Sequence, residues 1–248
     1  MASIKRGFKY LLTNRALFCD SFIKNYLGFL PDKLFLTLRY RCILGHWINW
    51  KNPQTFSEKI QWLKIYDRRP EYVKMVDKYS VKKYVSELIG DDYIIPTLGV
   101  WDDPESINWD DLPNQFVLKT THSGGSCGVV VCKDKNNFNK EDAIKKLKTS
   151  LDQDDIYTYF REWPYAQVKR CVIAEKFIAS NTPHGDLPDY KFFCFNGEPL
   201  YCQVIRDRNE KETIDFYDME WNHQEFVGLQ TMYEKFKMVV LRFHVLYI

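Results

Sequence analysis

One stretch of the chain concentrates groups that hold anions. Phe116-Val-Leu-Lys119 is a short apolar run ending in a lysine. Thr120-Thr121-His122-Ser123-Gly124-Gly125-Ser126-Cys127-Gly128 follows, and Val129-Val-Val-Cys132 is a second apolar run. Two such runs joined by a Gly-rich connection predict a β-hairpin. Glycines let backbone N–H groups come close to an anion, and consecutive amides form a nest for phosphate. Lys119 adds a fixed positive charge at the end of the first strand. Together these groups would hold nucleotide phosphates; the same residues also suit an ordinary Gly-rich hairpin with a surface lysine. The spacing excludes the P-loop pattern G-x-x-x-x-G-K-[ST] and the dinucleotide pattern G-x-G-x-x-G.

A second stretch, Val172-Ile-Ala-Glu175-Lys176-Phe177-Ile178, places a glutamate near the end of an apolar strand. Such a carboxylate can accept from an adenine amino group, with the following backbone completing the base contact. A Glu-Lys pair near a strand end also reads as a solvated surface pair. His122 can serve as a loop hydrogen-bonding residue or in catalysis. Asp102-Asp103 and Asp110-Asp111 suit either a glycosyltransferase metal motif or loop charges and caps, flanked as they are by Trp101 and Trp109. His184, His223 and His244 lack metal-ligand spacing. Seven cysteines, an odd number without a C-x-x-C pair, read as reduced thiols of a cytoplasmic protein.

These groups need a scaffold. The chain has 248 residues, 45% hydrophobic and 16% aromatic, enough for one large core or a core plus a subdomain. A net charge of +2 gives no electrostatic footprint for nucleic acid. Neither a signal peptide nor a membrane span is expected. Residues 1–51 form a basic helical segment. Within 1–50, Lys5, Arg6, Lys9, Arg15, Lys24, Lys33, Arg39 and Arg41 face only Asp20 and Asp32, a surplus of +6 that leaves the remainder at −4. Interleaved aromatics make these helices suited to an anionic membrane surface, or to packing on the main body with a solvated basic face. Residues 52–111 are expected to be helical: Thr55 or Ser57 caps a first helix, and Pro70 opens a second that runs through Val73, Val76, Val81 and Leu88 to Gly90. Ile94-Ile95-Pro96 predicts a strand leading to a loop that holds Trp101. Residues 112–248 then alternate strands and one helix, with Asn196-Gly197 as a two-residue hairpin turn.

The order of these features resembles the ATP-grasp fold. Asp77-Lys78-Tyr79-Ser80-Val81-Lys82 comes first, then Pro96, then the Lys119 hairpin, then the Glu175-Lys-Phe-Ile strand. More narrowly, Asn52-Pro-Gln-Thr-Phe-Ser-Glu-Lys59, Asp77-Lys-Tyr79, Asp189-Tyr-Lys191-Phe-Phe-Cys-Phe-Asn-Gly197 and Phe216-Tyr-Asp-Met-Glu-Trp221 resemble the TupA-like ATP-grasp family, over about residues 30–225. That family is associated with teichuronopeptide and capsular polysaccharide synthesis. The resemblance implies an α+β, ATP-grasp-like fold with antiparallel sheets packed with helices. It implies that Lys82 and Lys119 contact ATP phosphates and that Ser123, Gly124, Gly125, Ser126 and Gly128 fold over them. Glu175, with the backbone of Lys176, Phe177 and Ile178, would hold adenine; Asp189 would meet the ribose and Lys191 the phosphates. The chemistry implied is carboxylate activation as an acyl phosphate and transfer to an amine, with ATP, Mg²⁺ and a glycan or lipid-linked glycan precursor as partners. After Trp221 only Glu225 and Glu234 remain, and 239–248 holds no Asp or Glu. The chain is therefore expected to stop before the metal-binding end of the fold, with nucleotide binding better supported than turnover. The rival expectations are a glycosyltransferase of the same pathway and a truncated nucleotide-binding remnant.

Overall fold

The computed structural model describes residues 15–180, 187–207 and 212–226. Lys5, Arg6, Lys9, His184, Glu234, His244 and the apolar run 239–248 lie outside the described residues. The chain divides into two compact units, Met1–Phe177 and Ile178–Ile248.

Among the described residues of the first unit, five α-helices precede the first strand: α1 (Arg15–Tyr26), α2 (Asp32–Leu44), α3 (Phe56–Tyr66), α4 (Glu71–Val76) and α5 (Ser80–Ile89). α3 starts on a capping box. Thr55 Oγ1 accepts from the Glu58 N–H at 3.2 Å, and the Glu58 carboxylate accepts from the N–H groups of Thr55, Gln54 and Asn49. Those backbone hydrogen bonds, from Thr55 first, hold the Glu58 carboxyl down to about 2.

The single helix expected from Pro70 to Gly90 is two helices, α4 and α5. The apolar period continues across the join, but Asp77 takes an extended backbone and its carboxylate accepts from the Tyr79 N–H at 2.9 Å and from the Ser80 hydroxyl. A short acidic side chain satisfying nearby donors competes with helix continuation. The expected strand at Ile94-Ile95-Pro96 also shifts. β1 is Thr97–Trp101 and includes Trp101. Pro96 offers no N–H, and its carbonyl instead accepts from the Lys176 N–H at 3.0 Å. Gly99 sits at a register irregularity, where a Cβ would lie 2.2 Å from the Trp101 ring.

β2 (Phe116–Thr120), β3 (Val129–Cys132) and β4 (Val172–Lys176) complete an antiparallel sheet in the order β1-β4-β2-β3. α6 (Lys140–Asp152), α7 (Asp155–Phe160) and α8 (Trp163–Ala166) lie between β3 and β4 in the chain. Alternation along the strands sends Phe116, Leu118, Cys132, Val172 and Ala174 to one face. There they form a core with Leu147 of α6 and with Ile107 and Leu112. The opposite face carries Val117, Lys119, Ile173 and Glu175. The described residues of the second unit form a three-stranded antiparallel meander: β5 (Asp189–Phe195), β6 (Glu198–Arg206) and β7 (Thr213–Asp218). Its first turn is Asn196-Gly197 as expected, with φ of 52° and 85°, both positive as a type I′ turn requires.

α1 and α2 pack through Ile23, Phe35 and Leu36. Part of the basic face expected of them turns inward, while Arg15, Lys33 and Arg41 stay exposed. Arg39 is buried and pairs with buried Asp20 at 2.6 Å, while Lys24 turns inward over the rings of Tyr159 and Phe160. Aromatic side chains of α1 face solvent instead. Removing one partner of a buried pair strands the other charge, so Asp20→Ala should lower unfolding free energy by about 3–5 kcal/mol. The double variant Asp20→Ala/Arg39→Met should recover much of that loss, and urea denaturation of the three proteins measures both effects.

Candidate functional site

The site is built on the sheet face opposite α6. In the β2–β4 register Lys119 opposes Ile173 and Val117 opposes Glu175, so Lys119 and Glu175 are diagonal neighbours on one face. Long side chains reach across that diagonal. Lys119 Nζ lies 2.5 Å from Glu175 Oε2. Lys82, in the first turn of α5, lies 2.6 Å from Glu175 Oε1 and donates to the Ile95 carbonyl at 2.5 Å. Glu175 is buried, its side chain 7% exposed, and the reading of Glu175 and Lys176 as a solvated pair is corrected. Burial acts to raise the Glu175 carboxyl, but hydrogen bonds and charge from Lys119 and Lys82 outweigh it and hold the group below the usual carboxylate range. Each carboxylate oxygen thus meets one ammonium group.

A third lysine joins them. The break at Asp77 takes Lys78 off the helix, so its N–H donates to the Thr121 carbonyl at 3.1 Å and its ammonium donates to the Ser123 carbonyl. Burial, then the charge of Lys119, lowers Lys78 to about 8, against the opposing pull of Asp77 and Glu175. Sequence reasoning quoted Lys78 as part of a motif but gave it no role. The signal that could have found it was the Asp77-x-x-Ser80 cap, which frees the residue after Asp77 from the helix.

The Gly-rich loop divides into two parts. Thr120 Oγ1 donates to Ser123 Oγ at 2.6 Å and lies 2.9 Å from Ser150 Oγ. A Cβ at Gly128 would fall 1.9 Å from Thr120 Oγ1 and 2.5 Å from Ser123 Oγ. Ser123 and Gly128 therefore belong to a hydroxyl knot beneath the loop. Gly124, Gly125, Ser126 and Cys127 form its tip, with Gly125 at φ +61°. Among the described residues no backbone carbonyl takes the N–H groups of these four. His122 is buried, and its Nε2 lies 2.9 Å from the Gln153 carbonyl just past α6, while its Nδ1 is buried without a partner. Burial lowers its pKa, which favours the neutral imidazole.

The other candidates are placed as follows. Lys176 is exposed at the end of β4 with its N–H bound to Pro96, and Phe177 and Ile178 follow it. Asp189 and Lys191 share one face of β5 in the second unit, 3.7 Å apart. Asp102 pairs with Lys169, Asp103 caps the Glu105 N–H, and Asp111 accepts from Asn108, so the acidic pairs act as surface partners and caps.

A family model described as TupA-like ATPgrasp matches residues 58–238, more than half of the chain. The protein belongs to the TupA-like ATP-grasp family. No curated protein and no solved structure matches it. Membership supports an ATP-grasp-type ligase that binds ATP, and its α+β architecture agrees with that fold. ATP-grasp proteins generally use Mg²⁺ with ATP. That ion needs near-octahedral oxygen ligands, and Glu175, Asp215 and Asp218 are otherwise engaged. Glu175 is held by two lysines, and Asp215 meets Arg206 and His223. Asp218 accepts from Asn222, Glu220 and Gln224. No group of three His, Cys, Asp or Glu side chains gathers among the described residues. Their donor set does not fit a Mg²⁺ site, and residues 227–238 of the family match lie outside them.

Two outcomes follow from this geometry. Gly128→Ala should cost about 1–3 kcal/mol through overpacking against Thr120 and Ser123, read as a lower thermal midpoint. Lys78 binds a proton below 10.5 when unfolded and only below about 8 when folded. Between those values the unfolded state holds more protons, so stability should rise with pH across that window, by up to about 3 kcal/mol. The penalty is fully present below about pH 8. Denaturation curves from neutral pH to above the window should show the rise in the parent and lose it in Lys78→Met.

Proposed function

We propose that this protein is an ATP-dependent carboxylate–amine ligase of cell-surface polysaccharide synthesis. The observation that carries the reading is the pairing of Lys82 and Lys119 with one buried carboxylate, with Lys78 on the Ser123 carbonyl beside the same Gly-rich tip. Three ammonium groups against the carboxylates of Glu175 and Asp77 leave an excess of positive charge, which suits a polyphosphate. Arriving phosphate oxygens would share the lysines with Glu175, and the N–H groups of Gly124, Gly125, Ser126 and Cys127 would close over them. Val117 and half-exposed Val131 lie on the same sheet face and offer an apolar surface to the base. The backbone of Phe177 would complete the base contact.

The reaction balances without a redox partner. A carboxylate oxygen of the sugar attacks the γ-phosphorus, and ADP leaves. The amine nitrogen then attacks the acyl carbon, phosphate leaves, and the nitrogen gives up a proton to form the amide. This chain's own part is to fix the phosphates by its lysines and loop amides. The acceptor in this reading is a glycan or lipid-linked glycan precursor, and free cysteines and an ATP substrate suit the cytoplasm. A second reading, nucleotide binding without turnover, is supported by one observation: the described carboxylates do not fit a metal site.

Isothermal titration should show ATP binding, and Lys119→Ala should weaken it by about 1.5–3 kcal/mol, the cost of one charge-assisted contact. Unchanged affinity in that variant would remove the phosphate assignment. Phosphate release with ATP, Mg²⁺, a uronic-acid glycan and an amino acid separates the two readings, since only the ligase gives multiple turnovers.

A further inference from the structure

α1 turns unusual side chains outward. Arg15, Phe18, Cys19, Phe22, Asn25 and Tyr26 are exposed at the three- and four-residue spacing of one helix face. Phe18 is 44% exposed, Phe22 48% and Tyr26 69%, and Phe29 in the following turn reaches 79%. The Phe22 and Tyr26 rings lie 5.1 Å apart between centroids, tilted by 33°. The inner face carries Ile23 and Asp20. Solvent-facing helix surfaces are ordinarily polar; this one is an aromatic stripe without an acid.

The sequence that carries it is basic. Residues 1–31 contain Lys5, Arg6, Lys9 and Arg15 besides the inward-turned Lys24, and their only acid is Asp20. Asp20 is buried and neutralised by Arg39. Aromatic rings beside unopposed cations match the chemistry of an anionic bilayer surface, where rings enter the interfacial layer and cations meet headgroup phosphates. No helix among the described residues is long and apolar enough to cross a membrane, so such a contact lies on the surface. A second copy of the chain would also cover the rings, but it would bring two cationic segments together with no acid between them. The stripe lies ahead of residues 58–238, the part matched to the family.

We propose that α1, with Phe29, is an interfacial helix that seats the protein on an anionic membrane. The inference stands apart from the ligase reading. Its test is co-sedimentation of the full 248-residue chain with vesicles of phosphatidylcholine alone or mixed with phosphatidylglycerol. Binding should require phosphatidylglycerol and weaken as salt rises, because headgroup attraction is screened within a Debye length. Phe22→Asp/Phe29→Asp should lower partitioning by at least about tenfold, with an unchanged circular dichroism spectrum, since both rings are exposed. Equal binding to both vesicle types, no binding to either, or full binding by the double variant would overturn the proposal. So would a dimer in sedimentation velocity that the double variant loses while the parent ignores vesicles, because the stripe would then belong to a second copy.

Discussion

The first unit depends on how it keeps one carboxylate ionised out of water. Burying a charge costs several kcal/mol unless partners replace its hydration. Glu175 meets that demand twice, with Lys119 at 2.5 Å and Lys82 at 2.6 Å, and it stays below the ordinary carboxylate range despite burial. Glu162 shows the other outcome in the same unit. Its one ammonium partner, Lys64, is 3.8 Å away, and burial dominates both groups: the Glu162 carboxyl is pushed up and the Lys64 ammonium down. Partner number and distance decide which carboxylate remains a fixed negative charge. Only the doubly paired one can hold two ammonium groups in place for an incoming anion.

Much of the scaffold follows from that pairing. The β2–β4 register sets the Lys119–Glu175 diagonal. The Pro96 carbonyl ties the end of β4 to the start of β1, and the Ile95 carbonyl one residue earlier takes Lys82. α5 must therefore begin where Lys82 can reach both Glu175 and Ile95. The Asp77 cap starts it there, and the same cap turns Lys78 toward the loop.

What the sequence made legible was what period and turn chemistry control. The alternation of 116–120 and 172–176, the Gly-rich hairpin and the Asn196-Gly197 turn are local signals, and Lys119 and Glu175 stood out by residue type. Pairing was not legible, because it depends on register between strands more than fifty residues apart. The helix break was hidden because Val73, Val76, Val81 and Leu88 keep a helical period through it, and a single side-chain cap overrode that period. The charge of the N-terminal segment was plain from composition. Which way those charges point was not: Arg39 is drawn inward by Asp20, and Lys24 by the rings of α7.

The loop carries the same lesson to the level of single glycines. In the sequence Gly124, Gly125 and Gly128 look alike, as three small residues above a lysine. In the structure they answer different constraints. Gly125 occupies a left-handed conformation at an open tip, where a side chain would be strained by the backbone and not by neighbours. Gly128 is excluded from bearing a side chain by three hydroxyl groups within 2.6 Å of where a Cβ would sit. The knot of Thr120, Ser123 and Ser150 fastens the base of the loop to α6, and Lys78 fastens the Ser123 carbonyl to the α4–α5 link. A loop held at both ends can leave the amides of its tip without backbone partners and still keep one shape. That is the condition under which N–H groups bind an anion without first surrendering hydrogen bonds of their own.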